Sequence, residues 1–463
     1  MKEKIHEWVT AQREALIRDL GALVRIPSVS EDGDEKAPYG ESCLKALHTF
    51  LRMSEDYGFT TSEWENQIGC IEGCGAGEEI ALWGHLDVVA AGGNWDYAPF
   101  EPTLKEGVLI GRGAQDNKGQ ALACLYVMRC LKELGISLRH TVKLYVGTDE
   151  ERGMGDLKKY AACHALPAFS IVADSNFPVC YGEKGIITFR LEAPWPGDGA
   201  VLSAEAGVAA NVVPDYATAR LRTVDGGERA LVCRGISGHT AFPEHCQNAI
   251  LELTRELCEE KTVTGPEKRI LQFFTRVNAD CYGEALGLGY EDEDSGKMTL
   301  VGSMLKIENG RAALTCNIRT PLTQNMDELL QSLERIAREN GCQCAVEQAS
   351  APHRFPREHP VVERLNNVYE EITGKKRDPF VLPGGTYSRL LPSSISFGMG
   401  YGADQDEWMQ PYKHLFRPGH GGAHGPDECT VIDMLLQAIE IYVLGLTAID
   451  DIHFAKQEEE NRG

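Results

Sequence analysis

The sequence predicts an α/β protein, in which a mostly parallel twisted sheet flanked by helices is interrupted by an inserted α+β domain. Three observations lead there. The chain has 463 residues, more than one hydrophobic core usually fills, so two domains are the natural expectation. Between residues 80 and 173, apolar runs of strand length alternate with segments of helical period, the order that builds parallel sheets. From about Ile186 the texture changes to half-exposed alternating strands and amphipathic helices. A hydrophobic content of 43% and a charged content of 25% are ordinary for a globular protein.

Taken in order, the first 25 residues place Val9, Leu16, Leu20 and Leu23 on one helical face, and Pro27 closes that helix. Residues 42–57 read as a second helix. Residues 80–87, Ile-Ala-Leu-Trp-Gly-His-Leu-Asp, form a run apolar enough for a strand buried on both faces. After Asp116 the period switches, and Ala121, Cys124, Leu125, Met128 and Leu131 recur at helical spacing. Residues 141–147 are again a strand, 157–164 a short helix and 169–173 another strand. In the second texture, residues 188–192, 217–222 and 312–319 alternate as strands, with helices near 247–260 and 326–340. Pro379 to Gly385 reads as the crossing back, and residues 432–446 as a final apolar helix. The expected division is 1–185, 186–380 and 381–463, the first and last segments forming one domain.

Charge and cysteine usage exclude several function classes. A formal charge of −23 argues against nucleic acid or an anionic membrane surface as a partner. The 15 cysteines contain no C-x-x-C pair, which argues against a zinc knuckle or redox motif. Cys70 with Cys74, and Cys342 with Cys344, are the nearest pairs. Buried free thiols in a reducing compartment are the expectation. The N-terminal residues lack an apolar signal core, and no stretch approaches 18 uninterrupted apolar residues. The expected location is cytoplasmic, and only the charged tail after Ala455 reads as disordered.

The chemistry lies in an ordered set of short motifs. Asp116 sits in Gly111-Arg-Gly-Ala-Gln-Asp-Asn-Lys-Gly119, between Gly84-His-Leu-Asp87 and Asp149-Glu-Glu151. Asp174 follows in Val172-Ala-Asp-Ser-Asn176, and His424 in Ala423-His-Gly-Pro-Asp-Glu428. His85 and Asp87 are two apart on a strand, so both leave on one side. A metal-bound His needs a carboxylate or carbonyl on its other nitrogen, which Asp87 could supply. Taken alone, this is as readily a polar strand terminus. The 111–119 run lacks both Gly-Lys-Ser/Thr and G-x-G-x-x-G, which rejects a phosphate loop. Its glycines suit a tight turn that presents the carboxylate. Three adjacent carboxylates at 149–151 repel one another unless cations or protons relieve them. The chemistry wants one of them on metal and one unbound as general base; an acidic helix start is the equal alternative. Asp174 and His424 say little by themselves, but the combination decides, because four strand-end acidic or His motifs in one α/β domain fall where such sheets place active sites, at strand carboxyl ends. A carboxylate bridging two cations among them suggests a two-metal hydrolase.

From Ile26-Pro-Ser-Val-Ser30 to His424-Gly-Pro-Asp-Glu428, the chain resembles the co-catalytic zinc metallopeptidases. That family includes aminoacylases, glutamate carboxypeptidases, succinyl-diaminopimelate desuccinylases and the peptidase V-type dipeptidases, the last being the nearest likeness. The resemblance implies a catalytic domain and an inserted lid. It implies two Zn2+, with Mn2+ or Co2+ as possible substitutes: His85, Asp116 and Asp174 on one, and Asp116, Glu151 and His424 on the other. Glu150 would be the general base, Asp87 the partner of His85, and the Asp116–Asn117 peptide would be cis. In the lid, His239 of Gly235-Ile-Ser-Gly-His-Thr-Ala-Phe-Pro243, followed by Asn248-Ala249, would hold the oxyanion. Asn211 and Arg319 would contact substrate, Arg319 as a bidentate clamp on a terminal carboxylate. Gly384, Gly385 and Thr386 would offer backbone donors to the same group.

Two departures stand out: Cys246 replaces the usual Gly of the lid motif, and the 401–422 loop carries His414 and His420, which could compete for metal. The resemblance links a short lid to dimers and an enlarged lid to the peptidase V-type dipeptidases, where one chain supplies the whole site. The long stretch between Asp174 and His424 then implies an enlarged lid and a monomer, a loose dimer being the alternative. The implied activity is hydrolysis of dipeptides or other small unblocked peptides. An N-acyl amino acid deacylase or carboxypeptidase is the alternative enzyme, and a metal- or peptide-binding protein the non-enzymatic one.

Overall fold

The computed structural model describes residues 1–73, 75–402 and 405–454; Cys74 and the tail from 455 lie outside them. The chain divides into two compact units. The first comprises Met1–Tyr181, Phe355–Phe380 and Thr386–Gly463, and the second Gly182–Arg354 with Val381–Gly385. The boundary therefore differs from the expected 186–380. The helix Pro360–Thr373 buries Val361, Val362 and Leu365 and packs on Ile432–Ile449 in the first unit.

In the first unit the sheet runs Thr60–Trp64, Ile68–Glu72, Thr141–Gly147, Glu79–His85, Phe169–Val172, Ser394–Phe397, Val179–Glu183. The central pairings are parallel and the flanking ones antiparallel. Every residue from Ile80 to His85 is buried, as expected of a strand covered on both faces. Its register sets His85 beside Gly147 and Trp83 beside Val172. Asp87, the turn 148–151 and Asp174 therefore emerge together from one edge. The helix read through the first 25 residues breaks at Gln12 into Lys2–Ala11 and Arg13–Val24. There the Gln12 amide bonds three residues back, to Val9, a 3-10-type tightening.

The helix Ile432–Ile449 is long and apolar enough to cross a membrane by length and composition, but most of it is buried inside the protein. It packs on Lys118–Glu133 and Pro360–Thr373 as a core helix. A small antiparallel sheet joins Thr103–Lys105, Val108–Ile110 and Cys429–Val431. Its pairing of Ile110 with Cys429 brings the Asp116 loop against the His424 loop, although some 300 residues separate them in sequence.

The second unit is a seven-stranded antiparallel sheet. Its order is Glu228–Arg234, Tyr216–Arg222, Val201–Ala206, Thr299–Glu308, Arg311–Thr320, Gly185–Pro194, Gln343–Ser350. Helices Ala249–Glu259, Gly265–Val277 and Met326–Glu339 cover it around Leu253, Phe273, Phe274, Leu314 and Leu333. Asn248 and Asn325 cap two of these helices by accepting from their first-turn amides.

Candidate metal centre

The Asp116 carboxylate stands between two imidazoles. Its Oδ1 lies 3.2 Å from His85 Nε2 and its Oδ2 3.1 Å from His424 Nε2. His85 Nε2 is also 3.6 Å from Asp174 Oδ2, and His424 Nε2 is 3.1 Å from Glu151 Oε1. His85 thus neighbours Asp116 and Asp174, and His424 neighbours Asp116 and Glu151. Ligand atoms within 4.8 Å of one another group His85 with Asp116 and Glu151, and His85 with Glu150 and Asp174. Glu150 belongs to the same cluster, with a carboxylate oxygen within 4.8 Å of ligand atoms on His85 and Asp174. All these side chains come from the first unit.

The surrounding backbone is held by buried polar groups. His85 Nδ1 faces the Asp87 carbonyl at 3.0 Å and the Asp87 carboxylate at 3.3 Å. A proton on Nδ1 leaves the Nε2 lone pair turned to the cluster. The Asp87 carboxylate also accepts the amides of Glu150 and Glu151. Asn117 accepts from the His85 amide and donates to the Asp174 carboxylate; the Asp116–Asn117 peptide is cis. Glu428 Oε1 accepts the amides of Gly113, Gln115 and Asp116. Its Oε2 takes the Arg112 guanidinium at 2.6 Å, and Arg112 also donates to the His424 carbonyl at 3.2 Å. Gly113, at φ 84, occupies the left-handed region this loop requires. Asn117, Arg112 and Glu428 escape a reading by motif, since each looks like filler beside a candidate ligand. The one available signal is at Arg112, a charged residue set between two glycines; Asn117 and Glu428 sit beside charged residues and carry none of their own.

Electrostatics mark the cluster as short of positive charge. Burial, together with the nearby Asp116 carboxylate, pushes Asp174 up to about 7. Burial, then the charges of Asp174, Glu151 and Asp87, hold the Glu150 carboxyl well above the usual range; burial and Asp116 raise Glu151. Hydrogen bonds to Asp116 and Glu151 push His424 up to about 11. Burial opposes charge on His85, yet the surrounding carboxylates raise it well above its ordinary value. Burial also opposes charge on Asp116, but His424 and His85 hold it below the ordinary carboxylate value. His85 Nε2 and Glu150 Oε1 are buried without a directed hydrogen bond. Unpaired buried polar atoms among crowded carboxylates and imidazoles fit a site for divalent cations that accept oxygen and nitrogen donors.

The remaining candidates lie elsewhere. His414 faces Glu106 at 3.2 Å and His420 faces Asp427 at 2.6 Å, so neither joins the cluster. In the second unit, His239 pairs with Val212 on two short strands, and the Thr240 amide donates to the Asn211 carbonyl. His239 and Asn211 are thus neighbours, and both are exposed. The buried Arg319 donates to Asn317 Oδ1 at 3.0 Å and to the Pro383 carbonyl at 3.1 Å, which sets it beside the segment carrying Gly384 and Gly385. Thr386 is buried in the first unit and accepts the Ser388 amide.

Comparison with known proteins gives concordant results. The profile described as Peptidase family M20/M25/M40 matches residues 81–447. A Bacillus subtilis (strain 168) protein named "Putative dipeptidase YtjP" is 30% identical over 94% of this chain and 97% of its own length. Among solved structures, the dipeptidase Dug1p from Saccharomyces cerevisiae aligns with a TM-score of 0.61 at 14% identity, over 98% of this chain and 99% of its own. Human carnosine dipeptidase 1 aligns with the same TM-score and identity, over 97% and 99%. At 14% identity the likeness to both structures is one of fold.

Proposed function

The chain belongs to peptidase family M20/M25/M40, and from that premise we propose that it is a dipeptidase, a metallohydrolase cleaving the amide bond of dipeptides and other small unblocked peptides. The observation that supports this most is the Asp116 carboxylate set between His85 and His424, with the buried Glu150 carboxylate beside them, its Oε1 without a hydrogen-bond partner. We assign His85, Asp116 and Asp174 to one cation and Asp116, Glu151 and His424 to the other. Zinc suits these donors, and manganese or cobalt would substitute. When bound, such a pair polarises the scissile carbonyl and makes a water acidic near neutrality.

The protein's own residues do the rest. Glu150, buried and not needed as a ligand, receives the proton of the attacking water and delivers it to the leaving amine. Asp87 keeps the His85 ring oriented and holds the Glu150 amide. On their motifs, His239 is assigned to the oxyanion, Asn211 to substrate contact, and Arg319, Gly384, Gly385 and Thr386 to the substrate's terminal carboxylate. We assign the protein to the cytoplasm, where the free thiols of the described cysteines persist, and to a monomeric state.

A panel of free dipeptides and of N-acetylated and N-succinylated amino acids, offered to metal-reconstituted protein, tests the reading. Release of both amino acids from free dipeptides is the expected result. Turnover confined to acylated substrates would make the protein a deacylase, and metal uptake without any turnover would make it a binder.

A further inference from the structure

Four successive amides on the turn that carries Glu150 and Glu151 are all taken by two buried carboxylates. Asp87 accepts Glu150 N at 3.1 Å and Glu151 N at 3.0 Å. Asp156 accepts Thr148 N at 2.7 Å and Asp149 N at 3.0 Å, both on Oδ2. The same oxygen accepts the Tyr387 hydroxyl at 2.6 Å, while Oδ1 accepts Leu157 N at 2.7 Å. Asp156 and Tyr387 are 0% and 1% exposed, and neither belongs to the cluster of ligand atoms. The strand ends at Gly147, where any Cβ would collide with both the Tyr387 hydroxyl and the Asp156 carboxylate. The glycine lets these two groups press against the start of the turn.

We propose that Asp156 is a positioning residue for the hydrolytic reaction: by holding the Thr148 and Asp149 amides, itself braced by Tyr387, it sets where the Glu150 and Glu151 carboxylates stand. This rests on the assignment of Glu150 as base and Glu151 as ligand given above. Asp87 restrains the far half of the turn. The near half is also held by Thr148 Oγ1 donating to the Gln67 carbonyl at 2.8 Å and by the Gly155 amide on the Asp149 carboxylate at 3.1 Å, but the Thr148 and Asp149 amides themselves rest on Asp156. Released at Thr148 and Asp149, the turn pivots, and a shift near 1 Å at a reacting group costs up to about 100-fold in rate. Asparagine at 156 keeps the size but replaces one acceptor oxygen with a donor amide. Either Leu157 N or the Thr148 and Asp149 amides then lose their acceptor, and in the second case the Tyr387 hydroxyl must turn from donating to accepting.

The test compares full-length Asp156→Asn and Tyr387→Phe with wild type and Glu150→Ala. It reads kcat and KM on a dipeptide, the visible absorption of Co2+-loaded protein, and the thermal midpoint. Asp156→Asn is expected to lower kcat roughly 100-fold with KM within about 3-fold, and Tyr387→Phe to lower it roughly 10-fold. Both should alter the Co2+ absorption, because Glu151 moves with the turn. If both variants only lower the thermal midpoint, with kcat per folded molecule and the Co2+ spectrum unchanged, Asp156 is a helix anchor and the proposal fails. Should Asp156→Asn not fold, the same readings on Tyr387→Phe decide. A fully active Glu150→Ala, or a wild type without dipeptidase activity, sinks the functional reading instead, and the Co2+ absorption then judges the role of Asp156 alone.

Discussion

Glu150 and Glu151 are neighbours in sequence with opposite circumstances. Glu151 Oε1 meets His424 at 3.1 Å, whereas Glu150 Oε1 is buried with no partner. The proposed pair of roles starts from the run Asp149-Glu-Glu151, since adjacent carboxylates at a strand end call for a division of labour. Which residue takes which role follows from the turn: successive side chains point differently, and only Glu151 reaches His424. On the proposed assignment, Glu150→Gln should keep the wild-type metal content, measured by elemental analysis, and lose roughly 100- to 10,000-fold in kcat. The pH profile should change with it. Burial and neighbouring acids favour the protonated form of Glu150, so activity in the wild type rises as pH increases and the base is freed. That acidic limb should be missing from the residual rate of the variant.

At the scale of elements, the parallel centre of the sheet is readable because Ile80 to His85 is one apolar run. The strands that register the two halves of the metal centre are not. Val108–Ile110 and Cys429–Val431 are three residues each, too short to show a period, and their pairing spans most of the chain. The hairpin Thr60–Trp64/Ile68–Glu72 is equally silent, its exposed first strand carrying little apolar pattern. The Glu428–Arg112 pair beside the small sheet is buried on both sides, at 0% and 1% side-chain exposure. Glu428→Gln keeps an acceptor for the loop amides but strands the Arg112 charge, at a cost of about 3–5 kcal/mol, measurable by urea unfolding. Glu428→Ala should, in addition, release the amides of Gly113, Gln115 and Asp116 and lower the metal stoichiometry read by titration calorimetry.

For the whole molecule, the cluster ties stability to pH and to metal. Asp174 stands at about 7 against an ordinary 3.8, and His424 at about 11 against 6.5. Both values are raised in the folded state, so each contributes stability that is complete below its ordinary value and lost as pH climbs to the folded one. In the presence of chelator, the thermal midpoint should fall steadily from about pH 5 to pH 9. Saturating zinc should raise the midpoint and flatten that slope, since cations then supply the charge that protons supplied. A chelated protein whose midpoint rose over this range would contradict the assignment. At this scale the sequence foretold two units but misplaced the return. The helix Pro360–Thr373 is amphipathic like its neighbours in the second unit, and only packing against Ile432–Ile449 reveals which core it completes.

One consequence lies at the neck of the insertion. The first unit is left after Tyr181 and rejoined at Phe355, and the Phe355 amide donates to the Tyr181 carbonyl at 2.7 Å. That bond continues into an antiparallel ladder pairing Arg354 with Gly182 and His353 with Glu183, so exit and re-entry leave the host core side by side, and the short return Val381–Gly385 is a further piece of the second unit. Closure entropy grows merely with the logarithm of what is spliced between the two residues. Segments of very different size could be exchanged at this seam over evolutionary time, giving one hydrolytic body a route to new appetites without redesign of its interior.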